Sequence, residues 1–185
     1  FTFTAASVAI PLARRQPRLH LSTAFADRNE KSADRHRPSG GQERRDALYQ
    51  AHLRTENLRI EGVLEVLAEL AQHYQMAIVT TCKRRDFELI HRNPDLLQFM
   101  QFVLVREDYV ESKPHPEPYL TALHKFSATP QQALVIEDSE RGLRAARAAG
   151  IDCAVVDYHF TRSHDFSAAQ YRLHKLAQLP QLLVT

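Results

Sequence analysis

A short apolar run that ends in two adjacent acids and then turns into a helix constrains this chain more than any other feature. Ala133 to Ile136 reads as a buried strand because the run stops abruptly at Glu137 and Asp138. The Ala-, Arg- and Leu-rich residues that follow are strong helix formers, and Gly150 lies just past the last turn. Both carboxylates therefore stand at the carboxyl end of a strand, where open α/β sheets place their ligands. Neighbouring acids repel each other unless a cation or hydrogen-bond donors compensate. Mg²⁺ suits that place, since it takes one or two carboxylates together with water and phosphate oxygens. The plainer reading is a helix start, with Asp138 or Ser139 as its cap. The stretch alone fits both.

Two other strand ends carry polar groups. Met76 to Val79 is apolar and ends in Thr80-Thr81, and Lys83, Arg84 and Arg85 then open a helix. Cations there oppose the helix dipole unless an anion sits at the N-terminus. For Arg84 and Arg85, solvated surface charge is the preferred reading. Further on, Lys113-Pro114-His115-Pro116-Glu117-Pro118 holds a lysine on a stretch stiffened by prolines. Such a lysine is suited to pairing with a phosphate or a carboxylate.

Strands at 76–79, 102–105, 133–136 and 153–156 alternate with helices at about 63–73, 83–92, 116–126, 140–148 and 167–177. That order predicts a parallel sheet covered on both faces, with Thr80, Lys113 and the Glu137-Asp138 pair gathered at one edge. A hydroxyl, a cation and a metal-ready acid pair in one cleft would make a phosphate site.

Charge divides the chain. Residues 1–45 hold 9 Lys+Arg against 4 acids, leaving 15 against 18 for residues 46–185. The overall charge is only +2, which gives no case for nucleic-acid or membrane-surface binding. No apolar run approaches a membrane span. Five glycines, at 40, 41, 62, 142 and 150, allow neither a P-loop nor a dinucleotide fingerprint. Cys82 and Cys153 lie in or near apolar runs and read as reduced thiols of a cytoplasmic protein. Residues 1–42 are expected to be a poorly ordered basic segment. Residues 43–60 hold one helix, at about 43–56, and residues 61–185 form the α/β core.

Val79-Thr80, Lys113-Pro114-x-Pro116-x-x-Tyr119 and Ile136-Glu137-Asp138-Ser139-x-x-Gly142, with Ala145-Ala146-x-x-Ala149-Gly150, together resemble the haloacid dehalogenase-like hydrolases. The resemblance runs from about Glu61 to the C-terminus and is closest to the phosphatases and phosphoglucomutase-like members with a helical cap. It implies a Rossmann-like three-layer α/β/α sheet, Mg²⁺ as cofactor and a small phosphorylated metabolite as substrate. It also implies that Thr80, with Thr81 beside it, binds the phosphoryl group, and that Lys113 balances its charge. Asp138 first and Glu137 second would hold the metal. The 43–60 segment would be what remains of the cap.

The chain departs from the family at one point. The family opens with Asp-x-Asp at the end of a central strand, the first Asp being the nucleophile, and no Asp-x-Asp occurs here. Without that strand, two buried sheet edges would expose unpaired backbone groups, each costing about 1–3 kcal/mol. The apolar residues Phe1 to Ile10 are therefore expected to fill the gap as a substitute strand. With two family ligands missing, Mg²⁺ should be held loosely. Cys82 is a poor substitute nucleophile, and His159, His164 and Asp165 are too loosely spaced to make a metal site. The favoured expectation is a hydrolase by descent that is inactive, a fragment or a mis-started frame. The alternative is a non-catalytic phosphate- and metal-binding protein, or an interaction protein using the basic N-terminal segment.

Overall fold

A computed structural model describes residues 6–11, 48, 50–51, 61–92 and 94–183. Of the expected basic segment, residues 1–5 and 12–42 lie outside the described residues, as does most of the expected 43–56 helix. The core begins with strand β1 (Ala6–Pro11), helix α1 (Val63–Leu70), β2 (Tyr74–Val79) and α2 (Arg84–Ile90). It continues through β3 (Met100–Leu104), α3 (Glu117–Phe126), β4 (Leu134–Glu137) and α4 (Glu140–Ala148). Strands β5 (Asp152–Val156) and β6 (Tyr171–Leu173) and helix α5 (Leu179–Leu183) complete it.

The described strands form one sheet in the order β3-β2-β1-β4-β5-β6. Strands β2 to β6 all run in one direction, and β1 lies between β2 and β4, antiparallel to both. Ala6 faces Val79 and Pro11 faces Tyr74, while Ser7 faces Ile136. The central gap is thus filled by the N-terminal apolar segment, which pairs the two buried edges. Its direction has a consequence: the amino end of β1, not its carboxyl end, meets the sheet edge that follows Val79 and Glu137.

Helices cover both faces, as a parallel sheet requires. One face buries Val79, Leu104, Val135, Leu143 and Val155 with Tyr119 and Leu123 of α3. The other buries Met76, Ile78, Leu134, Ile136 and Val156 beneath α1 and α5. The period of two decides where each residue of β4 goes. Leu134 and Ile136 point to the α1 side and Val135 to the α3–α4 side, so Glu137 also points inward to α3 and α4. Asp138 lies beyond the strand. The α1 helix buries Val63, Val66, Leu67 and Leu70 on one stripe, at helical spacing.

The helix expected over 167–177 is not formed. Residues 171–173 add a sixth strand instead, parallel to β5. The backbone N–H of Gln170 donates to the Cys153 carbonyl at 3.1 Å, and its side chain accepts from the Cys153 N–H at 2.9 Å. Pairing the open edge of β5 outweighs local helix propensity, a preference that tertiary context readily overrides. Two smaller differences concern α1, which stops at Leu70 rather than 73, and Pro116, which precedes α3 while Pro118 occupies its first turn. Proline is tolerated there because first-turn N–H groups have no partner within the helix.

Candidate functional site

The site is built around Lys113. Its Nζ donates to the Val79 carbonyl at 2.9 Å and to Glu137 Oε1 at 2.7 Å. One ammonium thus ties the end of β2 to the end of β4, across the strand between them. Lys113 is 6% exposed and Glu137 4%, so the ion pair is sealed from water. The lysine also lies over the Tyr119 ring, 4.7 Å from its centroid. The Lys113-Pro114 bond is cis, and the Lys113 carbonyl accepts from Nε of Arg141 at 3.2 Å and from Nη2 of the same side chain. Helix α4 therefore grips the proline-stiffened loop directly.

Glu137 has its oxygens fully engaged. Oε1 accepts from Lys113 and, at 2.6 Å, from the Tyr119 hydroxyl. Oε2 accepts from the Ser139 hydroxyl at 2.8 Å and from the N–H groups of Asp138 and Ser139, each at 3.2 Å. Burial alone would push this carboxyl up, but the Lys113 charge and these hydrogen bonds outweigh it and hold it below the usual range. Tyr119 is driven the other way, its phenol raised by burial and by the Glu137 charge. Gly142 makes the arrangement possible. A Cβ there would overlap the Glu137 carboxyl group.

Ser139, not Asp138, caps α4, its hydroxyl accepting from the Gly142 N–H at 3.1 Å. That leaves Asp138 without the capping role. Its side chain is 8% exposed, and Oδ2 is buried with no hydrogen-bond partner. Burial, followed by the Glu137 charge and partly offset by Lys113, pushes its carboxyl up to about 7. An anionic oxygen that is buried, orphaned and raised in pKa lacks a cation. Asp138 thus fits a hard divalent ion, whereas the Glu137 oxygens, expected to share it, are already taken by Lys113, Tyr119 and Ser139. Among the described residues no group of three or more His, Cys, Asp or Glu side chains is placed to hold a metal.

Thr80 is 1% exposed and sits next to the Val79 carbonyl that Lys113 holds. Its N–H donates to the Leu104 carbonyl at 2.9 Å, and its Oγ1 accepts from the Cys82 N–H at 3.1 Å. Its carbonyl accepts from the Tyr109 hydroxyl at 2.7 Å. Thr81 follows at the same strand end and is partly exposed. Burial, then the charges of Asp86 and Glu107, push the Cys82 thiol up to about 12, which disfavours the thiolate a nucleophile needs. Arg84 is not simply solvated. Its N–H donates to Glu107 Oε2 at 3.0 Å and its guanidinium to Asp108 at 2.9 Å. Both acids lie just beyond β3, which explains how cations are tolerated at the start of α2.

Sequence reasoning missed Tyr119 and Arg141 as holders of Lys113. The signal for Tyr119 was its place six residues after the lysine, one turn into a proline-started helix. That for Arg141 was its place beside Gly142 at the start of α4.

A family model, described as haloacid dehalogenase-like hydrolase, matches residues 20–156. Protein CbbY of Rhodobacter capsulatus is 32% identical over 124 residues, covering 63% of this chain and 55% of that protein. The validoxylamine A 7'-phosphate phosphatase of Streptomyces hygroscopicus subsp. limoneus is 33% identical over 110 residues, or 59% of this chain and 50% of that protein. The chain thus spans about half the length of the curated relatives it matches. Among solved structures, CbbY from Rhodobacter sphaeroides in complex with phosphate superimposes with a TM-score of 0.66 at 27% identity. That likeness covers 77% of this chain and 67% of the other. The sheet order, the lysine bridging two strand ends and this match agree: the chain belongs to the haloacid dehalogenase-like hydrolases, in their phosphatase-like subgroup.

Proposed function

We propose that the edge formed by Thr80, Thr81, Lys113 and Asp138 binds the phosphoryl group of a small phosphorylated metabolite together with Mg²⁺. The observation that carries this reading is the Asp138 carboxylate, buried and unpartnered at Oδ2 beside the locked Lys113–Glu137 pair. Relatives whose names include phosphatase and pyrophosphatase, and a solved relative in complex with phosphate, support the same substrate chemistry.

In this reading Asp138 holds the metal, which supplies positive charge beside the phosphate oxygens. Thr80 offers its hydroxyl to a phosphoryl oxygen. Lys113 lends its charge without moving, because the Val79 carbonyl and Glu137 fix its position. Glu137 serves as the internal counter-ion that holds the lysine rather than as a second metal ligand.

Binding is the activity proposed for the chain as it stands. Covalent phosphoryl transfer needs a positioned nucleophile and an acid-base partner. No Asp-x-Asp occurs in the sequence, and the Cys82 thiol is too high in pKa to serve. The direction of β1 supports this view, since any acid at its carboxyl end would lie at the edge opposite Thr80 and Asp138.

The test pairs calorimetric titration with inorganic phosphate, with and without Mg²⁺, and an aryl-phosphate hydrolysis assay, on wild type and Asp138→Asn. Melting curves check that both are folded. The expected result is phosphate binding with an Mg²⁺-dependent component that the variant loses, without turnover. Absence of an Mg²⁺-dependent component of phosphate binding in folded wild type would refute the reading. Asp138-dependent hydrolysis would restore the chain as an enzyme.

A further inference from the structure

A cleft of about 340 Å³ opens where β5 and β6 end, lined in part by His159, Arg162, Arg172 and His174, with Asp157 as its acid. None of the residues that line it belongs to the Lys113 network, although Tyr158 in its wall feels the Asp138 charge. Arg172 is already matched there, its Nη2 lying 2.9 and 3.2 Å from the two Asp157 oxygens. Its guanidinium also lies over the ring of Phe166, 5.8 Å from the centroid. Arg162 is exposed, and no acid among the described residues pairs with it. The cleft therefore carries one unmatched guanidinium and two imidazoles, gathered from two separate loops, after its internal ion pair is counted as neutral.

We propose that this cleft is a second anion site, which takes the phosphate group of a small phosphorylated ligand. Arg162 provides a planar fork of donors, and the imidazoles of His159 and His174 add N–H groups from other positions. A carboxylate is a planar monoanion that one fork satisfies, whereas donors from two loops suit a tetrahedral dianion. The volume is about ten times the ~30 Å³ share of one liquid water, so the organic body of the ligand fits beside its phosphate. Phe166, held beneath Arg172, gives that body an apolar wall. Its proposed donors are different residues from those of the reading proposed for Lys113 and Asp138.

Histidine side-chain NMR tests it, with inorganic phosphate as the probe. The His159 and His174 resonances should shift and saturate with phosphate, in wild type and equally in Asp138→Asn. Arg162→Gln should raise the midpoint about tenfold or more, the loss of one charge-assisted fork, and Arg162→Lys should recover part of it. Acetate at matched ionic strength should give no saturation. The proposal is overturned by a lack of saturable shift, by equal saturation with acetate, or by an unchanged midpoint in Arg162→Gln. Loss of the shifts in Asp138→Asn would overturn the site's independence. Arg162 is exposed, so its variants keep the fold, and unchanged melting curves check this. Failure at Lys113 would appear as absence of the Mg²⁺-dependent calorimetric component while these histidine shifts remained.

Discussion

Gly142 leaves open the space that the Glu137 carboxyl group occupies, and a Cβ at that position would overlap it. Glycine is required here for close approach, not for backbone conformation, since Gly142 lies inside α4. Gly142→Ala would gain helix propensity on a solvated helix, worth up to about 1 kcal/mol. Here it must displace a buried carboxylate that holds Lys113, Tyr119 and Ser139 together. We expect a net loss of about 2–4 kcal/mol, from overpacking and a disturbed buried ion pair. Urea denaturation measures it, and a neutral or stabilised variant would contradict the packing described.

The buried pair itself gives the next expectation. Lys113→Met removes the only cation bonded to Glu137 among the described residues and leaves its charge buried, which costs about 3–5 kcal/mol. Glu137 can relieve that cost by taking up a proton, which its present surroundings discourage. The gap between wild type and variant should therefore be wider at pH 8 than at pH 5. A gap that does not change with pH would mean that Lys113 does not keep Glu137 ionised.

How far the sequence revealed this arrangement depends on the range of the interactions. The strand ends bearing Thr80 and Asp138 were legible because apolar runs broken by polar residues are local signals. Lys113 was legible because its prolines are adjacent. Its partner was not, because pairing with Glu137 depends on which face of β4 each acid takes, a matter of register and three-dimensional packing. The strand over 171–173 was hidden for a similar reason, since its bonds are made to β5 and not within the segment. The central strand could be inferred from the gap it had to fill, but its antiparallel direction could not, as pairing satisfies backbone groups in either direction.

That central position makes β1 sensitive to a single backbone change. Val8 pairs with Ala77 on one side and Val135 on the other. Val8→Pro removes the backbone N–H, and proline is confined to edges and bulges of sheets. The loss should be about 3 kcal/mol or more, and hydrogen exchange at Ile78 and Val135 should speed up together. Unaltered exchange at both would show that β1 does not hold the sheet's centre.

Asp138 gives the sharpest pH-dependent expectation. Its carboxyl titrates near 7 in the folded protein, against about 4 in an unfolded chain. Over that window the folded state holds the proton more tightly, so this group's contribution to stability is complete below pH 4. It is lost as pH rises through 7. A shift of roughly three units corresponds to an upper bound of about 4 kcal/mol. Asp138→Asn is neutral at every pH and avoids this loss, so in metal-free buffer it should melt higher than wild type at pH 8. Near pH 4 the two should converge. Mg²⁺ should raise the melting temperature of wild type at pH 8 and leave the variant unmoved, because only a carboxylate gains from the cation. If the variant melts lower than wild type at pH 8 without metal, then Asp138 is already compensated within the protein, and its fit to a metal falls with that result.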